Sequence, residues 1–341
     1  MFIMQAQIEV THTEEAGGTT TIKNIKPSAV SWVQSVRNYT DTCKVTLPLM
    51  PYLKSTRDNE TQLSSRAKIE DSTIFSRGDS IRIELGYNNR LRSVFRGFIS
   101  RVSFGQPLTI ECEGYSYLLK SVSFTKSYAK TTIKEILQDL TQGTEIQLSP
   151  AIPEIELSNV TFKNAIGTDV LEFLRRECLC VAYFLCNELF VGSSPYAISR
   201  PEATLRIGWN TVSDSELKKE EKQGKVEVNL IEKSPKGEIK RTKAESSKYS
   251  GVRDVRVRAG LSDSFLKEVT QELQRREDYK GYSGSLTIFL EPFFEKGYVC
   301  NVEDRRFPER SGKYFVEAVE GRFDSAGGRQ KLDLIYYTEG K

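Results

Sequence analysis

Residues 75–102, FSRGDSIRIELGYNNRLRSVFRGFISRV, carry the pattern that decides the fold. Apolar and polar side chains alternate over 81–85, which is the period of a strand with one buried face. Asn88 and Asn89 follow, and asparagine tolerates the positive φ that a tight hairpin turn requires. The stretch therefore predicts two antiparallel strands joined at the asparagines.

Short strands of the same kind are predicted on both sides of this hairpin. They fall at 2–10, 43–47 and 108–115. Turn signals separate them about every ten residues, which indicates an antiparallel barrel or sandwich. Residues 52–71 are mostly polar, and we expect them to form an exposed loop.

The middle of the chain changes to the helical period. Thr132 and Glu135 have the spacing of a capping box, and the apolar residues that follow lie on one helical face. A second helix is predicted from about Thr168, followed by two short strands within 181–191. Residues 116–200 therefore predict a small α+β unit.

Strands return in the last third of the chain, first at 204–209 and again from 285 to 337. A helix with an apolar face is predicted over 262–280. A charged hairpin is predicted over 216–248, and acidic residues interleave with its basic ones. This interleaving favours a solvated ribbon over a nucleic-acid-binding patch.

Together these patterns predict a β-rich α+β fold. We expect two antiparallel β-barrel-like domains, at 1–115 and 201–341, to flank a small α+β domain at 116–200. Two β units of similar size around a middle unit also suggest a duplication at the level of the fold.

Composition and missing motifs argue against an enzyme. The 341 residues carry 49 Lys and Arg against 46 Asp and Glu, so bulk charge does not hold the chain on nucleic acid. The single histidine, His12, is expected at a solvated strand end or loop, and one histidine excludes a zinc site built on several. The sequence contains none of the common nucleotide-binding, zinc-protease or serine-hydrolase motifs. We therefore predict no catalytic residues, no cofactor and no metal site.

The chain carries no targeting or membrane signal that we can identify. Its first residues lack the basic and apolar regions of a signal peptide. The most apolar run, within 179–192, is too short and too interrupted to cross a membrane. We expect synthesis in the cytoplasm, reduced thiols and no membrane insertion.

Two groups of residues invite a chemical interpretation. Cys178, Cys180 and Cys186 match no closed zinc spacing, so we expect small buried hydrophobic side chains. Glu111 and Glu113 could act as the acid and base of a glycosidase. Alternation places both on the polar face of one predicted strand, and we favour that structural role.

Two blocks of sequence resemble the hub proteins of phage tails. The first joins 75–87 to 94–99 and is similar to the family's strand pair, Gly-Asp followed by alternating apolar residues and then Phe-x-Gly-x-Ile. The second joins 293–302, 312–319 and 327–335, and it resembles the family's closing strands. The family is the baseplate hub of contractile tails, also called the late control protein D family, which includes the hub part of type VI secretion spike proteins. The order of its elements fits most of the chain.

The sequence departs from the family pattern at two places. Lys296-Gly297 stands where Pro-Gly is common, and Glu320-Gly321-Arg322 replaces the usual histidine. We therefore use the resemblance to predict the fold and not the fine details of the structure.

The resemblance implies a structural baseplate hub with no enzymatic activity. It implies a homotrimer that joins the tail tube to the central spike, in which two barrels from each subunit form a six-fold-like ring. The implied partners are the spike or tail-tip protein, the tube protein and other baseplate proteins, with no sequence-specific binding of nucleic acid. The implied location is the virion tail baseplate, after synthesis in the host cytoplasm from a phage or prophage gene.

Several alternatives stay open. The chain could be the hub of a type VI-like or extracellular contractile injection system. It could instead be a carbohydrate-binding tail or adhesin module, or a tail-associated wall hydrolase that uses Glu111. Within the hub interpretation, the charged hairpin at 216–248 is either a docking arm between subunits or a solvated ribbon.

Overall fold

The computed structural model is rich in strands from its first residues to its last. It describes residues 3–13, 18–23, 25–48, 53–57, 60–64, 75–198, 201–220, 226–233, 239–243 and 251–337. The β-rich α+β class predicted from the sequence is confirmed.

The first part of the chain forms only strands. They are β1 (Met4–Thr13), β2 (Thr19–Lys23), β3 (Ala29–Ser35), β4 (Thr42–Leu47), β5 (Leu53–Arg57), β6 (Glu60–Ser64), β7 (Ser80–Tyr87), β8 (Arg90–Ser103) and β9 (Leu108–Glu113). The predicted hairpin is the antiparallel pair β7–β8, and Asn88 and Asn89 turn it with φ of 50° and 63°.

The prediction of a loop over 52–71 is wrong for the residues that the structure describes there. Strands β5 and β6 pair antiparallel and extend the sheet beyond β2. Each of these strands contains a single apolar residue, so neither shows the alternation that identifies a strand. Residues 52, 58–59 and 65–71 lie outside the described part of the chain.

The middle of the chain contains three helices and five strands among the residues that the structure describes. Its elements are α1 (Ser116–Leu119), β10 (Ser123–Thr132), α2 (Ile133–Thr141), β11 (Gln147–Leu148), β12 (Glu156–Ile166), α3 (Gly167–Glu177), β13 (Val181–Leu185) and β14 (Glu188–Gly192). The capping box is confirmed. The Glu135 backbone N–H donates to Thr132 Oγ1 at 3.2 Å, and the Thr132 N–H donates to Glu135 Oε2 at 3.0 Å.

The last part of the chain returns to strands and adds one long helix. Its elements are β15 (Glu202–Arg206), β16 (Thr211–Lys219), β17 (Val226–Lys233), β18 (Ile239–Lys243), β19 (Gly251–Arg258), α4 (Asp263–Asp278), β20 (Tyr282–Phe289), β21 (Val299–Glu303), β22 (Gly312–Asp324) and β23 (Gly327–Tyr336). The helix predicted over 262–280 is α4. The strand predicted over 204–209 ends at Arg206, because the chain turns at Gly208 with φ of 91°.

The charged hairpin predicted over 216–248 is only partly correct. Residues 216–219 belong to β16, which pairs with β20 instead. Strands β17 and β18 do form an antiparallel pair, and β19 joins β17 on the other side in parallel. We call these three strands the ribbon. The predicted turn at 234–237 lies outside the described residues.

One sheet of fifteen strands runs through both β regions. Its main path is β16-β20-β23-β22-β3-β4-β9-β8-β7-β1-β2-β5-β6. The early strands meet the late ones at the ladder between β3 and β22, where Ala318–Phe323 pairs with residues 30–35. The two β units are therefore joined by backbone hydrogen bonds.

The buried apolar residues form three clusters. One lies among strands β1 to β9, and a second lies among β15, β16 and β20 to β23. The third contains α2 and α3, and it also takes in Leu230 of the ribbon and Phe265 of α4. The ribbon and α4 thus share a core with the middle of the chain. The division at 115/116 and 200/201 stays a prediction.

Candidate assembly surfaces

The joint between the two β units has a glycine at its centre. Gly321 of β22 lies opposite Trp32 of β3, whose side chain is 1% exposed. A Cβ atom on Gly321 would lie 1.9 Å from two atoms of the indole ring. The glycine at this departure from the family pattern is therefore the residue that leaves room for the tryptophan.

A buried ion pair lies at the same joint. The Lys296 ammonium is 2.6 Å from each carboxylate oxygen of Asp41, although 255 positions separate the two residues. Burial raises the pKa of the Asp41 carboxyl, and the charge of Lys296 offsets part of that rise. Gly297 then turns the chain with φ of 84°. Lys296, at the other departure from the family pattern, thus supplies the counter-ion of a buried carboxylate.

A second network of charges closes the loop after β21. Arg310 Nε lies 2.7 Å from Asp304 Oδ2, and another nitrogen of its guanidinium lies 2.9 Å from Asp214. The other Asp304 oxygen accepts the backbone N–H groups of Arg306 and Phe307. Burial alone would raise the pKa of Asp304, but these N–H groups and Arg310 together lower it below the ordinary value.

We predict that this network makes part of the free energy of unfolding depend on pH. A free aspartate has a pKa of about 3.9. Because the folded-state pKa of Asp304 is lower, its stabilising contribution is complete well above that value and is lost as the pH falls through the folded-state pKa. Asp304→Asn should lower the free energy of unfolding at neutral pH and flatten its decline in acid. Urea titrations between pH 3 and 7 would measure both effects. An unaltered slope in Asp304→Asn would contradict the assignment.

The carboxylates considered for a hydrolase lie among cations. Glu111 of β9 is opposite Lys44 on one neighbouring strand and Arg101 on the other. Glu113 lies 2.5 Å from the Lys120 ammonium. Opposite charges across a ladder stabilise a sheet. This arrangement supports the interpretation of Glu111 and Glu113 as a polar sheet face.

The one histidine has a structural partner that the sequence did not indicate. His12 lies near the end of β1, and its Nδ1 is 2.6 Å from the buried carboxylate of Asp79. The other Asp79 oxygen accepts the Ser76 backbone N–H at 2.7 Å. The Gly-Asp motif of the opening stretch is thus a turn whose aspartate binds β1. The position at a strand end matches the expectation, but the side chain is 36% exposed and hydrogen-bonded rather than freely solvated.

The cysteines differ in burial. Cys178 and Cys180 are buried as expected, but the expectation is wrong for Cys186, which is exposed. It occupies the turn between β13 and β14 with φ of 56°. Cys43 and Cys112 are buried cross-strand partners. Burial raises the pKa of Cys112 to about 12 and raises that of Cys43 as well, so both remain thiols at neutral pH.

A small cleft opens where α4 meets both β units. Its lining consists of Arg37, Glu220, Arg276, Tyr279, Ser283, Ile335 and Tyr336. Arg37 is paired with Glu317, and Arg276 is paired with Glu272. Because its guanidinium groups already have carboxylate partners, the cleft serves as a packed junction.

A metal site and a membrane-spanning helix each place requirements on the described residues. Within the described ranges, no group of three or more His, Cys, Asp or Glu is placed to hold a metal ion. None of the helices found there is long and apolar enough to cross a membrane. Trp209, Val252 and Ile239 are 82%, 61% and 60% exposed, respectively. Ile239 and Val252 lie at opposite ends of the ribbon, so these side chains are exposed singly rather than as one apolar patch.

Solved structures of tail proteins share this fold, although no protein-family model and no curated protein matches the sequence. The tail protein from Neisseria meningitidis MC58 matches with a TM-score of 0.63 at 12% identity, over 97% of this chain and 96% of that chain. The 43 kDa tail protein of prophage MuSo2 from Shewanella oneidensis matches with a TM-score of 0.62 at 11% identity, over 97% and 98%.

A secretion protein also shares the fold. The c3393 protein of E. coli, a component of the type VI secretion system described as similar to the T4 tail proteins gp27 and gp5, matches with a TM-score of 0.54. The identity is 11%, and the match covers 93% of this chain and 75% of that chain. The chain therefore has the fold of phage and prophage tail proteins, as the resemblance of its motifs predicted.

Proposed function

We propose that this chain is the structural hub of a contractile tail baseplate, a trimeric adaptor between the tail tube and the central spike. The observation that carries the proposal is a fold shared with two tail proteins over at least 96% of each chain. On this proposal the chain works in the virion tail baseplate and is made in the cytoplasm of the host. The domain division at 1–115, 116–200 and 201–341 is part of the same proposal.

The joint between the two β units supports an adaptor role. An adaptor between two assemblies must transmit force without bending between its own halves. Here the ladder between β3 and β22, the indole of Trp32 and the pair of Lys296 with Asp41 all cross the joint. A buried ion pair and a close-packed ring leave little room for relative motion.

The surroundings of the carboxylates support a role without catalysis. A glycosidase needs two carboxyl groups that face one another across a substrate. Glu111 and Glu113 instead lie on one strand, where Glu111 is opposite cations of both neighbouring strands and Glu113 pairs with Lys120 at the end of α1. We therefore propose no catalytic residue, no cofactor and no metal for this chain.

A secretion-system hub is the second candidate function. It is favoured by the fold shared with the type VI component of E. coli. The same trimeric adaptor would then carry an effector-delivery spike. A carbohydrate-binding module has weaker support, which is the exposed ring of Trp209 as a surface on which a sugar could stack.

Electron microscopy of the purified protein tests the proposal. We expect class averages that show a ring with three-fold symmetry and six similar densities around a central channel. Particles of the size of a single chain, together with binding of the protein to an immobilised glycan array, would contradict the hub. That pair of results would favour the carbohydrate-binding module.

A further inference from the structure

The ribbon sorts its charges between its two faces. Side chains alternate along each strand, so Glu232, Lys240 and Arg253 point to the face that packs on α4. On this inner face the cations are paired. Lys240 lies 2.5 Å from Asp263, and Arg253 lies 2.5 Å from Glu277.

The outer face of the ribbon carries cations that have no such partner. Arg241 and Arg256 lie directly opposite Ile231 from its two sides, and Lys243 is two positions along from Arg241. All three cations are exposed, and no carboxylate of the described residues lies within ion-pair distance of them.

Two carboxylates share this face without neutralising it. Asp254 accepts a hydrogen bond from Asn229 at 3.4 Å, and Glu227 lies opposite the exposed Val252. The outer face therefore combines a cationic excess with exposed aliphatic side chains. It contains no aromatic ring among the described residues on which a nucleotide base could stack.

The middle of the same chain carries two exposed carboxylates. Residues 135–162 include five carboxylates and no lysine or arginine, and two of the five, Asp139 and Glu156, pair with lysines of β10. Glu145 and Glu154 are exposed, and neither forms an ion pair with a described cation. Glu145 follows the last turn of α2, and Glu154 lies beside the first turn, where the Ile133 N–H donates to the Ile155 carbonyl. We call these two residues, at the two ends of α2, the acidic surface.

We propose that the outer face of the ribbon in one copy docks on the acidic surface of the next copy. The contact joins two different surfaces, so it is a head-to-tail interface, and such an interface generates a ring when its rotation closes. Opposite charges steer and align the two copies, while Ile239 and Val252 supply apolar contact. The inference rests on the proposed trimer and assigns its contacts.

Charge reversal with light scattering tests the docking. The basic-face variant is Arg241→Glu with Lys243→Glu and Arg256→Glu, and the acidic-surface variant is Glu145→Lys with Glu154→Lys. These residues have no ion-pair partner among the described residues, so each variant should keep the circular dichroism spectrum and melting temperature of the wild type. We expect either variant to have the mass of one chain at a concentration where the wild type is trimeric. The combined variant, with all five reversals, should regain the trimer.

The controls separate this inference from the proposed function. The matched control is Arg77→Glu with Arg90→Glu and Arg92→Glu, three exposed arginines of the first β unit, and it should remain trimeric. A wild-type protein with the mass of one chain would overturn the trimer itself. A trimeric wild type whose charge-reversed variants stay trimeric would overturn only the docking. Salt-dependent binding of a 24-base-pair DNA duplex that the basic-face variant loses while remaining trimeric would reassign the face to nucleic acid.

Discussion

Gly321→Ala is expected to lower the free energy of unfolding by about 3 kcal/mol, which is the upper end of the usual cost of overpacking a core. The added methyl group would lie 1.9 Å from atoms of the Trp32 ring. That ring is 1% exposed and is enclosed by the core of the first β unit, so it cannot rotate away without displacing its neighbours. The substitution disturbs the ladder between β3 and β22, which is the only ladder among the described residues that joins the early strands to the late ones. Equilibrium denaturation in urea would measure the effect.

The control for this substitution is Gly105→Ala. A Cβ atom on Gly105 would come no closer than 3.8 Å to its nearest neighbour, so we expect a change below about 1 kcal/mol. A double-mutant cycle then isolates the contact itself. Trp32→Leu should destabilise the protein on its own and should remove most of the additional cost of Gly321→Ala. Equal costs of Gly321→Ala in the two backgrounds would contradict the packing argument.

Lys296→Met is expected to cost about 3–5 kcal/mol, because it leaves a buried carboxylate without its counter-ion. The Asp41 side chain is 11% exposed and the Lys296 side chain 4%, so water does little to compensate either charge. In the variant, the pKa of Asp41 should rise further, since burial already raises it and the ammonium that opposes the rise is gone. The variant should therefore regain part of its stability as the pH falls and the carboxyl becomes protonated.

Two further variants keep this prediction falsifiable. Lys313→Met removes the cation of an exposed pair with Glu202 and should cost less than about 1 kcal/mol. Lys296→Met combined with Asp41→Leu should recover much of the loss, because apolar pairs often replace buried ion pairs at little cost. If Lys296→Met alone proves as stable as the Lys313→Met control, the ion pair of Lys296 with Asp41 does not stabilise the joint between the two β units.

The sequence predicted the elements whose signals are local. The alternation at 81–85 and the two asparagines after it identify the β7–β8 hairpin. The spacing of Thr132 and Glu135 identifies the start of α2. Each of these signals lies within a few residues of the structure that it specifies, so periodicity and turn chemistry are sufficient.

The sequence could not predict the features that depend on distant partners. The β5–β6 pair has almost no apolar side chains, and it is stabilised as a strand pair by its place at the edge of the sheet. Strand β19 pairs with β17 in parallel, and local sequence patterns do not encode this strand orientation. Lys296 and Gly321 appeared only as departures from a family pattern, because their partners lie more than 250 positions away along the chain.

The candidate surfaces also combine features that the sequence shows with features that depend on distant strand partners. The lack of catalytic motifs and the mixed charge of 216–248 are visible in the sequence. The separation of that charge into a paired inner face and an unpaired outer face is not, because it needs the register of three strands. Likewise, the sequence places Glu111 and Glu113 on one strand face, but only the ladder shows which cations they meet.

The mass of the purified protein in solution, measured by light scattering over a concentration series, tests the hub most directly. The account predicts a species with three times the 38.7 kDa of the chain, and this species should persist on dilution through the micromolar range. A mass of 38.7 kDa at every concentration would contradict the trimeric hub.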